Sequence, residues 1–392
     1  MSLGPGGKLL LVLAGLAIIA GTLHHYGFLP QLDPWLVKLG KKPPPAPPLS
    51  LGDFPPGAVA PSSGLNAMPS RPLKLAVPPR AAAAPLLWLA GGPGRHPEAP
   101  STKAYALDLQ LDVYADADAV RQALTLGADQ GGVDAALVSV DDLGMRWPAY
   151  HAAAPRAVAL VARSQGSVAL AGAPGVGNLA GLRGKRLAVP RSGPERYFAL
   201  FELARAGLSA HDVILGPESD STRTAVALRE SRADAAAGLT PEMSLAARDR
   251  AGAVLATSAD SPYLLDLVLV VRGELVARYP EAVRRLVRGT LEANEAVRKN
   301  AIEAARLLDS AAPALGDPVQ AIKDEPPATV AENLAFFGVS GDAPVHFDEL
   351  LASAANLATK LGEAPSGLDP AEILESAPLR SIVANPAPML GH

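Results

Sequence analysis

Apolar and polar positions follow two periods along the chain, and these periods predict a series of strands and helices. Short apolar runs bounded by turn residues predict strands, whereas apolar residues three or four positions apart predict helices. The two patterns occur in turn between residues 73 and 162. They predict strands at Leu73–Val77, Leu107–Tyr114, Val133–Val138 and Ala157–Ala162, and helices at Ala81–Ala90 and Asp118–Leu126. This alternation is typical of an α/β fold with a mainly parallel sheet.

A strand, a turn and a helix follow one another closely near residue 190. Arg186–Val189 predicts a buried strand, and an apolar stripe over Tyr197–Ala204 predicts the helix. Ser192 and Glu195 have the spacing of a capping box, with a proline in the first helical turn. Because the first N–H groups of a helix have no partners within it, this turn can receive a polar or anionic group. The alternative is that Ser192 and Glu195 satisfy those groups and nothing binds.

The predicted strand ends also select candidate ligand contacts. Ligands of α/β sheets bind outside the carboxyl ends of the strands. Turns at four such ends supply the candidate ligand-binding residues Arg80, Ser139, Asp141, Arg191, Ser192, Gly193, Thr240 and Glu242. Guanidinium groups that face a ligand favour carboxylates, sulfonates or phosphonates. The alternatives are that both arginines are solvated and that Asp141 and Asp142 cap the helix after Val140.

The order of several segments resembles a known family. The run LRGKRLAVPRSGPERYFALFELARAGL, residues 182–208, is similar to the second lobe of type II periplasmic solute-binding proteins. The nitrate, sulfonate and taurine branch, which also contains the thiamine-pyrimidine synthase relatives, is the most similar. Further along the chain, the segments that resemble this family are Ala225–Ala237, Val254–Pro262, Leu264–Arg272 and a long helix at Pro280–Leu308.

The resemblance implies a bilobal α/β fold of two mainly parallel sheet lobes joined by a hinge, with a ligand between them. It implies that residues 72–165 form the first part of lobe 1, that 166–262 form lobe 2, and that 263–392 return to lobe 1 and end in helices. A small-molecule ligand and an ABC transporter permease, or another envelope protein, are the implied partners. The enzyme branch of the family uses a cysteine-rich iron motif and an active-site histidine. This chain has no cysteine, so we expect no enzymatic activity.

Composition excludes several classes of function. The 392 residues are 49 % hydrophobic and 19 % charged, which suffices for the cores of two lobes. With a net charge of −4 and 4 % aromatic residues there is no basic, aromatic-rich surface, so we expect no nucleic-acid partner. The lack of cysteine removes thiol catalysis, disulfides and cysteine zinc sites, and the seven histidines show no zinc-motif spacing. We therefore expect no cofactor and no metal.

The N-terminal region has its own pattern. Leu9–Leu23 is free of charge and, with the six residues after it, reaches the length of about 20 residues that crosses a bilayer. We predict an N-terminal transmembrane anchor over residues 1–30 and a Pro-rich linker over 31–71. A cleaved signal peptide is the alternative, although no good small-x-small cleavage site follows. Three lysines after the segment and one before it favour a cytoplasmic body, whereas the resemblance implies an inner-membrane protein with its body in the periplasm.

Two functions are consistent with these features. The first is a membrane-anchored solute-binding protein that captures a small anionic or zwitterionic organic ligand for an ABC-type transporter or sensor. The alternative is a non-transporting envelope scaffold or interaction protein with a degenerate solute-binding fold. A wall of the first lobe, PPRAAAAPLLW at residues 78–88, carries few side chains that form hydrogen bonds, which favours the alternative.

Overall fold

The structure, a computed structural model, describes residues 67–363 and 368–384. All of them belong to one compact unit. The predicted anchor at 1–30 and most of the predicted linker at 31–71 lie outside the described residues. Within the described ranges, no helix combines the length and the apolar character that a membrane crossing requires.

The described residues contain eleven strands in two sheets. The strands are β1 (Leu73–Val77), β2 (Gly94–Arg95), β3 (Leu109–Val113), β4 (Ala135–Ser139), β5 (Arg156–Arg163), β6 (Val168–Gly172), β7 (Arg186–Pro190), β8 (Ile214–Glu218), β9 (Ala235–Leu239), β10 (Ala253–Thr257) and β11 (Asp266–Val271). The first sheet, of lobe 1, has the order β2-β3-β1-β4-β11-β5, and the second, of lobe 2, has the order β10-β6-β9-β7-β8. Every strand predicted for the first lobe is present, with bounds that differ by at most two residues.

Both sheets are mixed, so the prediction of two mainly parallel sheets is met only in part. Strand β1 is parallel to β3 and β4, but β11 is antiparallel to β4 and β5. In the second sheet β7 is parallel to β8 and β9, but β6 is antiparallel to β9 and β10. The reason is the path of the chain. Strands β6 and β11 enter their sheets from the hinge, where their neighbours end, and they must therefore run the opposite way.

The hinge consists of two segments that cross between the sheets. The chain leaves the first sheet after Arg163 and returns to it at Asp266, and the predicted boundaries at 165/166 and 262/263 fall in these segments. Serine hydroxyls join the two segments, since Ser164 Oγ lies 2.6 Å from Ser167 Oγ and 2.6 Å from Ser258 Oγ. These contacts fix how the two crossing segments run beside each other.

Helices pack on both sheets. The α-helices are α1 (Ala84–Ala90), α2 (Pro100–Tyr105), α3 (Ala117–Leu126), α4 (Val140–Met145), α5 (Trp147–Tyr150), α6 (Pro194–Arg205), α7 (Ser221–Arg229), α8 (Thr240–Asp249), α9 (Gly273–Arg278), α10 (Pro280–Lys299), α11 (Ala301–Ala311), α12 (Pro318–Asp324), α13 (Val330–Phe336), α14 (Phe347–Lys360) and α15 (Ala377–Ala384). Short 3-10 turns precede α1, at Ala81–Ala83, and α15, at Pro370–Glu372.

The start of α6 differs from the prediction. Its N-cap residue is Gly193, and no side chain caps the helix, so the predicted capping box of Ser192 and Glu195 is wrong. Gly193 has a φ of 91°, in the left-handed region that favours glycine. Glu195 bonds instead to Arg80 in lobe 1, and a buried ion pair across the cleft takes the place of the local cap.

The segment Pro280–Leu308, predicted as one long helix, forms two helices because the helical backbone is interrupted at Asn300. The backbone of Asn300 is extended, with φ −147° and ψ 96°, and this ends α10. Its side chain accepts a hydrogen bond from Ile302 N at 3.1 Å and thereby starts α11, which is a common role of asparagine.

Candidate functional site

A cavity of about 290 Å³ lies between the two lobes, at the carboxyl ends of the strands. The polar lining from lobe 1 is Arg80, Asp116, Ser139, Asp142 and Tyr150. The polar lining from lobe 2 is Ser192, Glu195, Ser219, Asp220, Ser221, Thr222 and Glu242. Much of the apolar lining comes from Val120, Leu137, Leu239, Leu267 and several prolines. The lining thus combines polar and apolar side chains from both lobes.

Strand ends and helix starts position most of these groups. Asp116 follows β3 and accepts a hydrogen bond from Ala119 N at 2.8 Å, which caps α3. Asp220 follows β8 and accepts one from Arg223 N at 2.8 Å, which caps α7. Capping fixes both side chains beside the cavity, where their charges face it.

Arg80 is the cation of the cavity wall, and carboxylates surround it. It is 6 % exposed, and its Nη1 donates to Glu195 Oε1 of lobe 2. Its Nε and Nη2 donate to Glu325 Oε1 at 3.2 Å and 2.6 Å. Burial alone would lower the pKa of Arg80, but the charges of Glu325 and Glu195 raise it above its ordinary value. The guanidinium therefore stays charged, and its charge is balanced within the protein.

Glu325 is held firmly as the partner of Arg80. It is 1 % exposed, and its Oε2 accepts from Ala82 N at 2.7 Å. Its Oε1 also accepts from the Ser167 hydroxyl at 3.1 Å, in the hinge. One carboxylate thus joins the wall of lobe 1 to the hinge.

Two adjacent acidic residues lie at the start of α4. Asp142 is 2 % exposed, and the Tyr150 hydroxyl donates to its Oδ2 at 2.7 Å. Burial raises the pKa of Asp142, although Tyr150 and Arg121 act in the opposite direction. Asp141 is 1 % exposed, and among the described residues neither of its carboxylate oxygens has a hydrogen-bond partner of normal geometry. Burial, together with the charge of Asp142, raises the pKa of Asp141 well above its ordinary value.

Glu242 projects into the cavity from the first turn of α8 in lobe 2. The Thr222 hydroxyl donates to its Oε1 at 2.7 Å. Its Oε2 is buried and has no hydrogen-bond partner among the described residues. Burial raises the pKa of Glu242, although Thr222 acts in the opposite direction.

The structure brings half of the sequence-selected residues together. Arg80, Ser139, Ser192 and Glu242 line the cavity. Gly193 is buried beside its edge, where a Cβ on it would lie 3.7 Å from Ala117 Cβ of lobe 1.

Like Gly193, the other three selected residues lie outside the lining. Asp141 is buried in α4, and its neighbour Asp142 lines the cavity instead. Neither side chain caps α4, so the alternative that these two residues cap the helix is wrong. Arg191 has an exposed side chain, while its carbonyl accepts from Arg146 Nη2 at 2.5 Å. Thr240 turns to the hinge, where its hydroxyl donates to the carbonyl of Gly166.

Sequence reasoning missed several lining residues. Asp116 follows a strand that was predicted, so the rule of strand carboxyl ends was sufficient to select it. Asp220 and Thr222 follow β8, which the apolar pattern does not predict because its residues are mostly exposed or half-buried. The sequence predicts a capping role for Glu195, and nothing local indicates its partner 115 residues away.

Further contacts join the lobes around the cavity. Arg196 of α6 forms an ion pair with Glu363, which follows α14. The hydroxyl of Tyr197, also in α6, lies 3.4 Å from Ser353 Oγ of α14. Together with the Arg80–Glu195 pair, these contacts hold α6 of lobe 2 against lobe 1 and its C-terminal helices. The arrangement is that of closed lobes.

The described residues include no group of three or more histidine, aspartate or glutamate side chains arranged to hold a metal ion.

Comparisons with known proteins agree with this architecture. A family profile described as "NMT1/THI5 like" matches residues 106–304, just over half of the chain. No curated protein matches the chain by sequence. Many solved structures share the fold.

The alkanesulfonate-binding protein SsuA from Xanthomonas axonopodis pv. citri, bound to MOPS, has a TM-score of 0.61 and 16 % identity, covering 79 % of this chain and 100 % of that one. The periplasmic aliphatic sulphonate binding protein SsuA from Escherichia coli has a TM-score of 0.59 and 15 % identity, covering 76 % and 90 %. The periplasmic nitrate-binding protein NrtA from Synechocystis PCC 6803 has a TM-score of 0.60 and 12 % identity, covering 79 % and 87 %. At these identities the likeness establishes the fold and not the ligand. The profile match and the two-lobed architecture agree, and the chain belongs to the NMT1/THI5-like family, with the fold of type II periplasmic solute-binding proteins.

Proposed function

We propose that this protein binds a small organic solute between its lobes and delivers it to the permease of an ABC-type importer. The cavity of about 290 Å³, lined from both lobes at the strand ends, carries this proposal. Its volume is near the lower end of the range of about 300 to 1,000 Å³ that is typical of small-molecule sites, so the ligand is small. Similar folds occur in periplasmic proteins whose names state that they bind sulfonate or nitrate.

The proposed contacts are polar groups around an apolar body. Of the residues selected from the sequence, Arg80, Ser139, Ser192 and Glu242 stay in this proposal because they line the cavity. Leucine and valine side chains would contact the apolar body of the solute. The expected anionic ligand would find one lining cation, Arg80, which already pairs with two carboxylates. A zwitterionic solute therefore fits these groups better than a simple anion.

The proposed location is the periplasmic face of the inner membrane. The apolar segment Leu9–Leu23 is the proposed anchor, and the family resemblance supports a body outside the cytoplasm. A reporter enzyme that is active only in the cytoplasm, fused after His392, is expected to be inactive. An active fusion would contradict this location.

A thermal-shift screen of the purified chain tests the binding function. A ligand at 100 times its Kd stabilises the folded state by about 2.7 kcal/mol, which raises the melting temperature measurably. Ser192→Trp places an indole at the half-buried cavity edge and is expected to abolish the shift. Ser340→Trp makes the same change on an exposed residue outside the cavity and is the matched control. A shift that persists in Ser192→Trp would place the ligand elsewhere.

A second candidate function has one specific observation in its favour. The Arg80–Glu195 pair and the Arg196–Glu363 pair hold the lobes closed by the protein's own charges. A fold that closes on itself suits a scaffold or interaction protein of the envelope. Absence of any shift across anionic, zwitterionic, neutral and cationic compounds would favour this second function over solute transport.

A further inference from the structure

We propose that the ligand of the cavity carries a positively charged nitrogen, and that carboxylates from both lobes select it. This inference rests on the proposed solute-binding function. It names the chemical class of the solute, an ammonium or guanidinium compound with a small apolar body.

The charged side chains that line the cavity are mostly acidic. Among the side chains that line the cavity, one is cationic, Arg80. Five are acidic, namely Asp116, Asp142, Glu195, Asp220 and Glu242. They come from both lobes, so that lobe closure concentrates negative charge around the enclosed space. A narrow cleft lined by one sign of charge attracts ligands of the opposite sign and repels those of the same sign.

The cation of the wall is already neutralised. All three nitrogens of the Arg80 guanidinium donate to carboxylates, to Glu195 across the cleft and to Glu325 behind it. An anionic ligand would have to displace a buried carboxylate from this pair, and buried ion pairs are costly to break. Arg121 does not line the cavity, and its Nη1 lies 2.5 Å from Asp118 and 3.9 Å from Asp142. Among the residues of the described lining, no cation is free for an anion.

One oxygen of a lining carboxylate also lacks a hydrogen-bond donor. Glu242 Oε1 accepts from Thr222, but Glu242 Oε2 is buried and has no hydrogen-bond partner among the described residues. A buried acceptor without a partner costs free energy that a donor on a ligand would recover. An N–H group with a positive charge supplies both the missing donor and the missing counter-charge. Glu242 belongs to the five lining acids, and its free oxygen makes it the acceptor among them that a cationic group would engage.

The test is a fragment screen of the full-length chain by ligand-observed NMR, with cationic, zwitterionic, neutral and anionic fragments in equal number. Fragments displaced by Ser192→Trp, but not by Ser340→Trp, are taken as cavity ligands. We expect these to be enriched in ammonium and guanidinium compounds. Glu242→Gln preserves the shape and the contact with Thr222 while removing the charge, and it is expected to weaken their binding at least about tenfold.

A second variant protects the test against misfolding. Asp220→Asn removes a charge from the cavity but keeps the N-cap of α7, because asparagine caps helices as well as aspartate does. It is expected to weaken the cationic fragments several-fold. Glu303→Gln, at an exposed carboxylate of α11 outside the lining, is the matched control and should change nothing.

The outcomes separate this inference from the function on which it rests. If anionic fragments occupy the cavity, and Glu242→Gln and Asp220→Asn leave them unchanged or tighten them, the charge inference is overturned while solute binding stands. If cationic fragments bind but neither substitution weakens them, the carboxylates do not select the ligand and the inference is again overturned. If no fragment of any charge reaches the cavity, the solute-binding function fails and the inference fails with it.

Discussion

Arg80 of lobe 1 and Glu195 of lobe 2 form an ion pair across the cleft, with side-chain exposures of only 8 % and 9 %. Glu325 holds the opposite side of the guanidinium at 2.6 Å and is itself bonded to lobe 1 and the hinge. The pair therefore connects α6 of lobe 2 to the wall and hinge of lobe 1. Charges of the protein, rather than of a ligand, contribute to the closed arrangement.

Glu195→Gln is expected to shift the lobes toward an open arrangement. The amide keeps the size of the side chain but removes its charge, so the ion pair with Arg80 becomes a weaker hydrogen bond from a cation to a neutral acceptor. Because the chain has no cysteine, spin labels can be attached through Leu126→Cys in lobe 1 and Ile214→Cys in lobe 2, both exposed. Distances between the labels are expected to lengthen and broaden.

Glu218→Gln is the matched control for that experiment. Glu218 pairs with Arg232 at 2.9 Å, and both residues belong to lobe 2, so this substitution should leave the label distances unchanged. If Glu195→Gln and Glu218→Gln give the same distances as the parent protein, the Arg80–Glu195 pair does not hold the lobes closed.

Arg80→Ala is expected to lower the free energy of unfolding by about 3 to 5 kcal/mol, because it leaves Glu195 and Glu325 buried without their counter-charge. Urea denaturation measures this loss. Arg95→Ala is the control, since the Arg95–Asp108 pair is 56 % and 39 % exposed and such pairs contribute about 0 to 1 kcal/mol. Equal losses of unfolding free energy in Arg80→Ala and Arg95→Ala would show that the buried Arg80 cluster contributes no more to stability than an exposed ion pair does.

The strand ends of the site were predictable because they depend on local patterns. Buried runs such as Leu73–Val77 and Arg186–Pro190 are apolar, and the turn after each strand follows directly from its end. Arg80, Ser139, Ser192 and Glu242 were selected in this way, and they line one cavity. Local sequence is enough where the relevant geometry lies within one strand and its turn.

Relationships between distant segments were not predictable from the same patterns. The S-x-x-E spacing at residues 192–195 is a good capping signal, yet the carboxylate of Glu195 is engaged by Arg80, 115 residues earlier. The directions of β6 and β11 depend on the end of the sheet at which the chain enters from the hinge. The hydrophobic periodicity of a strand contains no information on its direction in the sheet. Tertiary contacts of this kind override local propensity. Here the contact between Arg80 and Glu195 balances the charge of the one cation among the lining residues.

Asp141→Asn is expected to stabilise the protein at neutral pH. Burial raises the pKa of Asp141 well above its ordinary value of 3.8, so the folded protein binds this proton more tightly than the unfolded chain. The contribution of Asp141 to stability is then greatest at low pH, falls as the pH rises from 3.8 toward the folded pKa, and is level above it. Asparagine has no charge to bury, and we expect a gain of about 1 to 3 kcal/mol above the folded pKa that shrinks at low pH.

Urea denaturation at a series of pH values between about 4 and 8 measures this difference. Asp249→Asn, at an exposed aspartate of α8, is the control and should leave the pH dependence unchanged. If the unfolding free energies of Asp141→Asn and the parent protein depend on pH in the same way, the pKa of Asp141 is not raised in the folded state.

Gly144→Ala is expected to destabilise lobe 1 through the contact of α4 with α14. A Cβ on Gly144 would lie 2.7 Å from the carbonyl oxygen of Leu351 and 2.8 Å from Ala354 Cβ, so α14 would have to move away. Overpacking of this kind costs about 1 to 3 kcal/mol, whereas alanine in an open helix position would be favourable. Gly177→Ala, where no atom lies within 4 Å of the added Cβ and φ is not positive, is the control. Because Asp142 and Tyr150 lie in the cavity wall next to this contact, Gly144→Ala should also weaken ligand binding, while Gly177→Ala should change neither stability nor binding.

Thermal melts with and without ligand measure the effects of Gly144→Ala on stability and on binding. An unchanged melting temperature in Gly144→Ala would show that α14 is not packed against α4 as closely as the structure has it.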